Sequence, residues 1–146
     1  MELQFHFSFG PQWHALWPHK TIERNRKIYD FELVYFASGA ARLFSDAGSC
    51  DCVPGSVVIV PPDLLHCTVS EAACERWCIH FDWFGDCRAH DGGKPLIFVY
   101  ADALDSFDPA CVARVPELPG IRFPFFRKHV PGAILPLLRR YFVTGM

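Results

Sequence analysis

Short apolar segments separated by glycine and proline turns make up most of this chain. Residues 4–9 alternate polar and apolar side chains up to Gly10-Pro11, and residues 76–83 alternate without a break. Alternation with a period of two is typical of a half-buried β-strand. The pattern also predicts short strands at 28–36, 42–44, 50–53, 56–60, 67–69 and 96–100, with hairpin turns at Gly39 and at 46–48. The chain is therefore predicted to be mainly β.

Residues 53–66 carry turn signals on both sides of one strand. Pro54-Gly55 predicts a turn, and the β-branched run at 56–60 predicts a short strand covered on both faces. Pro61-Pro62 removes two successive backbone donors, so the strand must end there. His66 follows just beyond this corner.

The C-terminal end has a helical period instead. Its apolar residues recur at i, i+3, i+4, i+7 and i+8 and predict a helix over 133–142: Ile134, Leu137, Leu138, Tyr141 and Phe142. Residues 105–124 are rich in proline and are predicted to be irregular. One domain is expected from this length, with a barrel and its N-terminal arm over 1–100 and an irregular wrap with a helix over 101–146.

Composition narrows the function classes. With 51% hydrophobic and 15% aromatic residues the chain is globular, and a net charge of -2 gives no sign of a nucleic-acid surface. The short basic clusters at 24–27, 127–129 and 139–140 are interpreted as solvated faces. No signal peptide or run of 18 apolar residues is found, which favours a bacterial cytoplasmic location. The seven cysteines are interpreted as reduced, partly buried hydrophobic residues.

Two spacings resemble motifs of the cupin superfamily. Gly55, Pro61 and His66 match its second motif, with Asp63 in place of a glycine; Asp tolerates a left-handed backbone better than most residues. Glu32 and Gly39 keep the last spacing of its first motif, but the histidine pair of that motif is replaced by residues 25–28, N-R-K-I. A closed metal site needs about three or four donors, and these motifs leave two, so no metal or other cofactor is expected.

The chain resembles more closely the N-terminal sensor domain of AraC-type transcription regulators. The matching runs, within residues 24–85, are YDFELVYFASGAARL, GSVVIVPPDLLH and RWCIHFDW. The resemblance implies a double-stranded β-helix (a cupin jelly roll) that binds a small-molecule effector and forms a homodimer through helices after the barrel. The resemblance implies no enzyme activity. The net charge of -2 and the lack of a helix-turn-helix pattern predict no direct contact with DNA, and we expect the helix-turn-helix domain to lie outside this chain.

A candidate effector site follows from the same resemblance. If Glu32 points into the barrel, the period of two places Val34 and Phe36 beside it. Alternation alone leaves open which face of 76–83 lines the cavity. The resemblance implies that the face with Arg76, Cys78 and His80 is directed towards the ligand. The predicted ligand-binding residues on the barrel strands are Glu32, Val34, Phe36, His66, Thr68, Arg76, Cys78 and His80. They suit a sugar, a sugar acid or another small hydroxylated molecule, while flat aromatic ligands stay open; His80 is equally explained as a structural histidine.

The aromatic arm before residue 23 has two interpretations. In the AraC-type arrangement it folds across the barrel mouth, and Trp13 and Trp17 form a lid that stacks on the ligand. Alternatively, the arm only covers a sheet edge and the barrel wall.

A different class of function is a metal-dependent cupin enzyme, such as a dioxygenase or a sugar isomerase. It would take further metal ligands from His6, His14 or His80. A third interpretation is a truncated structural cupin that only dimerises, which differs from the sensor by having no cavity.

Overall fold

The computed structural model describes residues 7–85, 87, 90–91, 94–95, 97–131, 136–137 and 140. The strands are β1 (Ser8–Trp17), β2 (Thr21–Ile22), β3 (Arg26–Ile28), β4 (Phe31–Ser38), β5 (Ala41–Ser45), β6 (Gly48–Cys52), β7 (Val57–Val60), β8 (His66–Ser70), β9 (Cys74–Asp82), β10 (His90–Asp91), β11 (Lys94–Pro95), β12 (Phe98–Tyr100) and β13 (Phe125–Arg127). Two 3₁₀ helices, Ala101–Ser106 and Pro109–Cys111, follow β12. The mainly β prediction is confirmed.

Two antiparallel sheets pack against each other. The first has the order β1-β9-β4-β7-β13, and the second has the order β12-β3-β8-β5-β6, with β2 also paired to β8. One cluster of buried side chains draws from both sheets, including Val34 and Val58 of the first and Ile28 and Leu43 of the second. The main core therefore lies between the sheets, and the side chains that face it define the interior of the fold.

Strand β4 is the centre of the first sheet and is covered on both faces. Val34 and Phe36 belong to the interior core, whereas Leu33 and Tyr35 pack on the opposite face. Trp77 of β9 is part of that outer packing, so successive residues of each strand point to opposite faces, as the period of two requires. Strand β7, beside β4, is likewise buried at Val57, Val58 and Val60. The predicted two-sided burial of 56–60 is confirmed.

The turn residues act as the sequence predicts. Strand β7 ends at Val60, just before Pro61-Pro62. Asp63 has φ 62° and so adopts the left-handed conformation expected of a residue that replaces glycine. Gly39 has φ 73°, and a Cβ at this position would collide with backbone atoms of Ala73 and Cys74.

The single strand predicted at 28–36 is wrong, because Ile28 ends β3 of the second sheet and β4 of the first sheet begins at Phe31. The predicted end of the first strand is wrong too. Gly10-Pro11 does not end the first strand, because β1 continues from Ser8 to Trp17 with a register shift between Phe9 and Gln12. Strand β1 lies at the edge of its sheet, where a bulge accommodates a proline that lacks a backbone donor.

The region after the barrel is more regular than predicted. Two 3₁₀ helices interrupt it, and β13 pairs with β7 through Phe126 opposite Val58, which extends the first sheet. Pro136, Leu137 and Arg140 are helical, and the rest of the predicted helix at 133–142 lies outside the described residues. Within the described residues, no helix combines the length and apolar character needed to cross a membrane.

Candidate functional site

Seven charged or titratable side chains meet in the interior, at the end of the sandwich where β3, β8, β9 and the start of β4 come together. We call them the interior polar cluster: Glu23, Arg26, Asp30, Glu32, His66, Arg76 and His80. Strand pairing assembles the cluster from both sheets, since Arg26 is opposite His66 in one sheet and Glu32 is opposite His80 in the other.

Glu32 lies between two cationic groups. Its Oε1 accepts a hydrogen bond from Nη2 of Arg26 at 3.0 Å, and its Oε2 lies 3.1 Å from Nε2 of His80, at ion-pair distance but without hydrogen-bond geometry. Burial by itself would raise the pKa of the Glu32 carboxyl, but the charges of His80 and Arg26 outweigh it and the pKa is lowered. Glu32 is therefore an ionised carboxylate in a site that is almost fully closed to water.

His80 is held between two carboxylates. Its Nδ1 lies 2.7 Å from Oδ1 of Asp30, and its Nε2 faces Glu32. Burial would lower the pKa of His80, but Glu32 and the hydrogen bond to Asp30 raise it to about 9. The pKa of the Asp30 carboxyl is raised, mainly because it is buried. With acids at both ring nitrogens, His80 is an imidazolium near neutral pH.

A second carboxylate, that of Glu23, lies between the two arginines. Its Oε2 accepts a hydrogen bond from Nη2 of Arg76 at 2.8 Å, and its Oε1 lies 3.8 Å from Nη2 of Arg26. The indole of Trp17 covers the Arg76 guanidinium at 3.9 Å. The three acids Glu23, Asp30 and Glu32 are thus matched by two arginines and the protonated His80, so the interior polar cluster is close to neutral.

His66 keeps one ring nitrogen available. Its Nδ1 lies 2.8 Å from the carbonyl oxygen of Leu64 and must carry the proton to donate to it, so Nε2 of the neutral ring is an acceptor. Burial lowers the pKa of His66, which favours the neutral ring. Six buried polar atoms of this region have no hydrogen-bond partner among the described residues. Two of them, Oε2 of Glu32 and Nε2 of His80, face each other at ion-pair distance; the others are Nε of Arg26, Nε2 of His66, Oγ of Ser70 and Nε of Arg76.

The predicted barrel residues all face the interior. Glu32, Val34 and Phe36 of β4 lie opposite His80, Cys78 and Arg76 of β9, and all six are buried. His66 and Thr68 are buried on β8 of the other sheet. The structure decides what alternation left open, because Arg76, Cys78 and His80 point inwards while Trp77 packs outside. That these residues bind a ligand stays a prediction.

The described part of the arm covers a sheet edge and the barrel wall, which was the second of the two interpretations from sequence. Strand β1 pairs with β9 along the edge of the first sheet, with Trp13 opposite Cys78 and Trp17 opposite Cys74. Both indoles pack against the interior core, and Trp13 also lies 5.2 Å from the ring of His80. The described residues of the arm form a wall of the interior instead of a lid across its mouth.

Sequence reasoning missed three members of the interior polar cluster. The basic run at 24–27 was interpreted as a solvated face, but Arg26 is buried at 5% exposure. Arg26 lies two residues before the buried Ile28 on β3, and the period of two puts both side chains on one face, which was the available signal. Glu23 and Asp30 lie outside the regular strands, in the segments that flank β3, and no periodicity marks them.

The described structure contains no candidate metal site. Among its residues, no three His, Cys, Asp or Glu side chains are grouped so as to hold a metal ion. His14 lies on the outer side, stacked on Trp77 and 3.0 Å from Glu75, and His6 lies outside the described residues. All seven cysteines are free thiols, three of them buried and four half-buried.

Cavities lined by described residues include one of about 920 Å³ between 61–64 and 115–123 and one of about 520 Å³ on the outer face of β5 and β6. Two more, of about 610 and 180 Å³, flank 124–126. The interior polar cluster lines none of these four cavities.

Comparisons with known proteins give structural matches alone. No family model matches the sequence, and a search of curated proteins returns no match. Solved structures that match include a cupin superfamily protein of Desulfitobacterium hafniense (17% identity, TM-score 0.44, 55% of this chain), the DMSP lyase DddQ of Ruegeria pomeroyi (14%, 0.48, 71%) and ToxT of Vibrio cholerae with unsaturated fatty acid bound (13%, 0.42, 54%). This chain spans 79%, 54% and 31% of those chains, respectively.

Proposed function

We propose that this chain is the effector-binding domain of an AraC-type transcription regulator. In this proposal the two sheets form a cupin jelly roll whose interior binds a small molecule, and the domain forms a homodimer in the cytoplasm. Binding changes how a separate DNA-binding domain is presented, through the differential affinity of the ligand for two arrangements. The order and spacing of the three matching runs within 24–85 support the family.

The observation that carries the proposal is the unused hydrogen-bonding capacity of the interior polar cluster. A buried donor or acceptor without a partner costs about 1–3 kcal/mol, so proteins rarely keep several in one place without a reason. Here Nε of Arg26, Nε2 of His66 and Nε of Arg76 are buried and have no hydrogen-bond partner among the described residues. Two donors and one acceptor inside an apolar wall are what a small polar ligand needs for binding and orientation.

His66 gives the sharpest test. Its Nε2 has no partner to lose, so His66→Ala removes an acceptor that a ligand would use while sparing the ion pairs of the cluster. We expect a small-molecule library of sugars, sugar acids and other hydroxylated compounds to contain a compound that raises the Tm of the wild type. His66→Ala should lower the affinity for that compound about tenfold or more, the usual effect of losing one buried hydrogen bond.

The matched control is His19→Ala, which removes an exposed histidine near the end of β1 and should leave the affinity unchanged. Isothermal titration of the folded variants measures the affinities. Glu32→Gln should weaken binding too, but it also breaks a buried ion pair, so its affinity must be measured well below its Tm. Two results would overturn the proposal: an unchanged affinity in His66→Ala, or stoichiometric iron, manganese or zinc in the purified protein, which would favour a metal-dependent enzyme.

A further inference from the structure

The side chain of Glu23 reaches the interior polar cluster from outside the strands that build it. Glu23 follows β2 and precedes β3, and its backbone N–H is bonded to the carbonyl oxygen of Thr68 at 2.9 Å. Its side chain is 13% exposed, whereas the side chain of Glu32 is 2% exposed. The Glu23 carboxylate thus has one edge towards solvent, as does that of Asp30, whose side chain is 14% exposed.

The place that this carboxylate occupies is built to hold an anion. Arg76 donates to Glu23 from Nη2, and Arg26 lies within ion-pair distance on the other side. Both guanidinium groups are nearly closed to water, and aromatic rings cover them, with Trp17 at 3.9 Å from Arg76 and Phe98 at 5.0 Å from Arg26. Guanidinium groups bind carboxylates through paired hydrogen bonds, and aromatic cover keeps competing water away.

The two arginines also have donors to spare. Nε of each is buried without a hydrogen-bond partner among the described residues. Glu23 therefore uses only part of the hydrogen-bonding capacity of Arg26 and Arg76, which together we call the carboxylate clamp. A free carboxylate is not tethered to the backbone and is able to align both of its oxygens with the guanidinium groups. Exchange of one carboxylate for another leaves the charge of the interior polar cluster unchanged, so no extra charge is buried.

We propose that the effector is a small carboxylic acid in its anionic form, and that Glu23 is a built-in occupant which the ligand carboxylate displaces from Arg26 and Arg76. This inference rests on the proposed function and names the ligand class of that same site. In the empty state Glu23 neutralises the two buried arginines. In the bound state its side chain swings to solvent.

Chemical rescue tests the clamp without knowledge of the natural effector. Glu23→Ala deletes a CH₂–COO⁻ group, which acetate supplies as a free ion. We expect Glu23→Ala to melt below the wild type and to gain about 3–6 °C in Tm at ten times the Kd of acetate, with a further rise that follows the logarithm of acetate concentration. Acetamide, which has the same shape without the charge, and sodium chloride at equal ionic strength should have no such effect.

Glu23→Gln is the matched variant. It removes the charge but fills the space, so acetate should not raise its Tm, and the wild type, in which acetate must displace Glu23, should gain only about 1–2 °C at the same acetate concentration. If Glu23→Ala does not fold in plain buffer, its refolding yield from urea should be higher in acetate than in acetamide. A gain in Glu23→Ala that is the same with acetamide or chloride, or no gain with acetate, overturns the carboxylate clamp.

The effector experiment separates this inference from the function on which it rests. For a carboxylate effector, Glu23→Ala should bind about tenfold more tightly than the wild type, because the wild type must first release Glu23. Equal affinity of the two proteins for a neutral effector would overturn the carboxylate class and leave the sensor function standing. Acetate rescue without any library compound that stabilises the wild type would support the clamp and count against the sensor.

Discussion

The pairing of His80 with two buried carboxylates makes the stability of this fold depend on pH in a defined direction. The pKa of His80 is raised in the folded protein from an ordinary 6.5 to about 9, where Glu32 and Asp30 outweigh the effect of burial. A group whose pKa is raised on folding stabilises the folded state fully at any pH below the pKa that the group has in the unfolded chain. That contribution is lost as the pH rises through the folded pKa. The window therefore runs from about pH 6.5 to about pH 9.

The size of the effect follows from the two pKa values. Each pKa unit corresponds to about 1.4 kcal/mol, so His80 contributes about 3 kcal/mol at pH 6 and little above pH 10. His80→Gln removes the titrating group and keeps a side chain able to form hydrogen bonds. At pH 6 the variant should be less stable than the wild type by about 3–5 kcal/mol, the usual result of leaving buried acids without their cation.

Urea denaturation of both proteins from pH 6 to pH 10 measures this directly. The difference in free energy of unfolding between wild type and His80→Gln should narrow by about 3 kcal/mol over that range, whereas titrating groups that do not contact His80 cancel in the difference. His19→Gln, at an exposed position, should track the wild type at every pH. A difference between wild type and His80→Gln that stays constant with pH would refute the assignment of His80 as an imidazolium.

Two further predictions concern the turn at Gly39 and the surface of the chain. Gly39→Ala should destabilise the protein by more than the roughly 1–2 kcal/mol of a left-handed alanine, because its Cβ also meets the backbone of Ala73. The control is Gly55→Ala, since Gly55 has φ 89° and open space around it. Equal losses of stability for the two variants in urea denaturation would contradict the collision at Gly39. The chain by itself should not bind duplex DNA specifically at physiological salt, because it carries a net charge of -2 and non-specific affinity depends on clustered cations; a sequence-dependent mobility shift would show otherwise.

Local chemistry determined much of this fold from sequence alone. The β-branched run at 56–60 and the proline pair after it fix a short buried strand and its end, because two missing donors leave no alternative. The left-handed backbone at Asp63 and Gly55 follows from residue types that tolerate it. Alternation placed Glu32, Val34 and Phe36 on one face, since strand geometry has a fixed period.

Tertiary structure decided what depends on pairing and on segments without a period. Alternation along β9 divides its residues into two faces but does not say which face is inside. The structure places Arg76, Cys78 and His80 inside, because their face of β9 meets the second sheet. The edge position of β1 allowed it to continue through Gly10-Pro11, because an edge strand tolerates a bulge and a missing donor. Glu23 and Asp30 entered the interior polar cluster only because the strands beside them bring cations within reach, and a sequence pattern does not encode such distances.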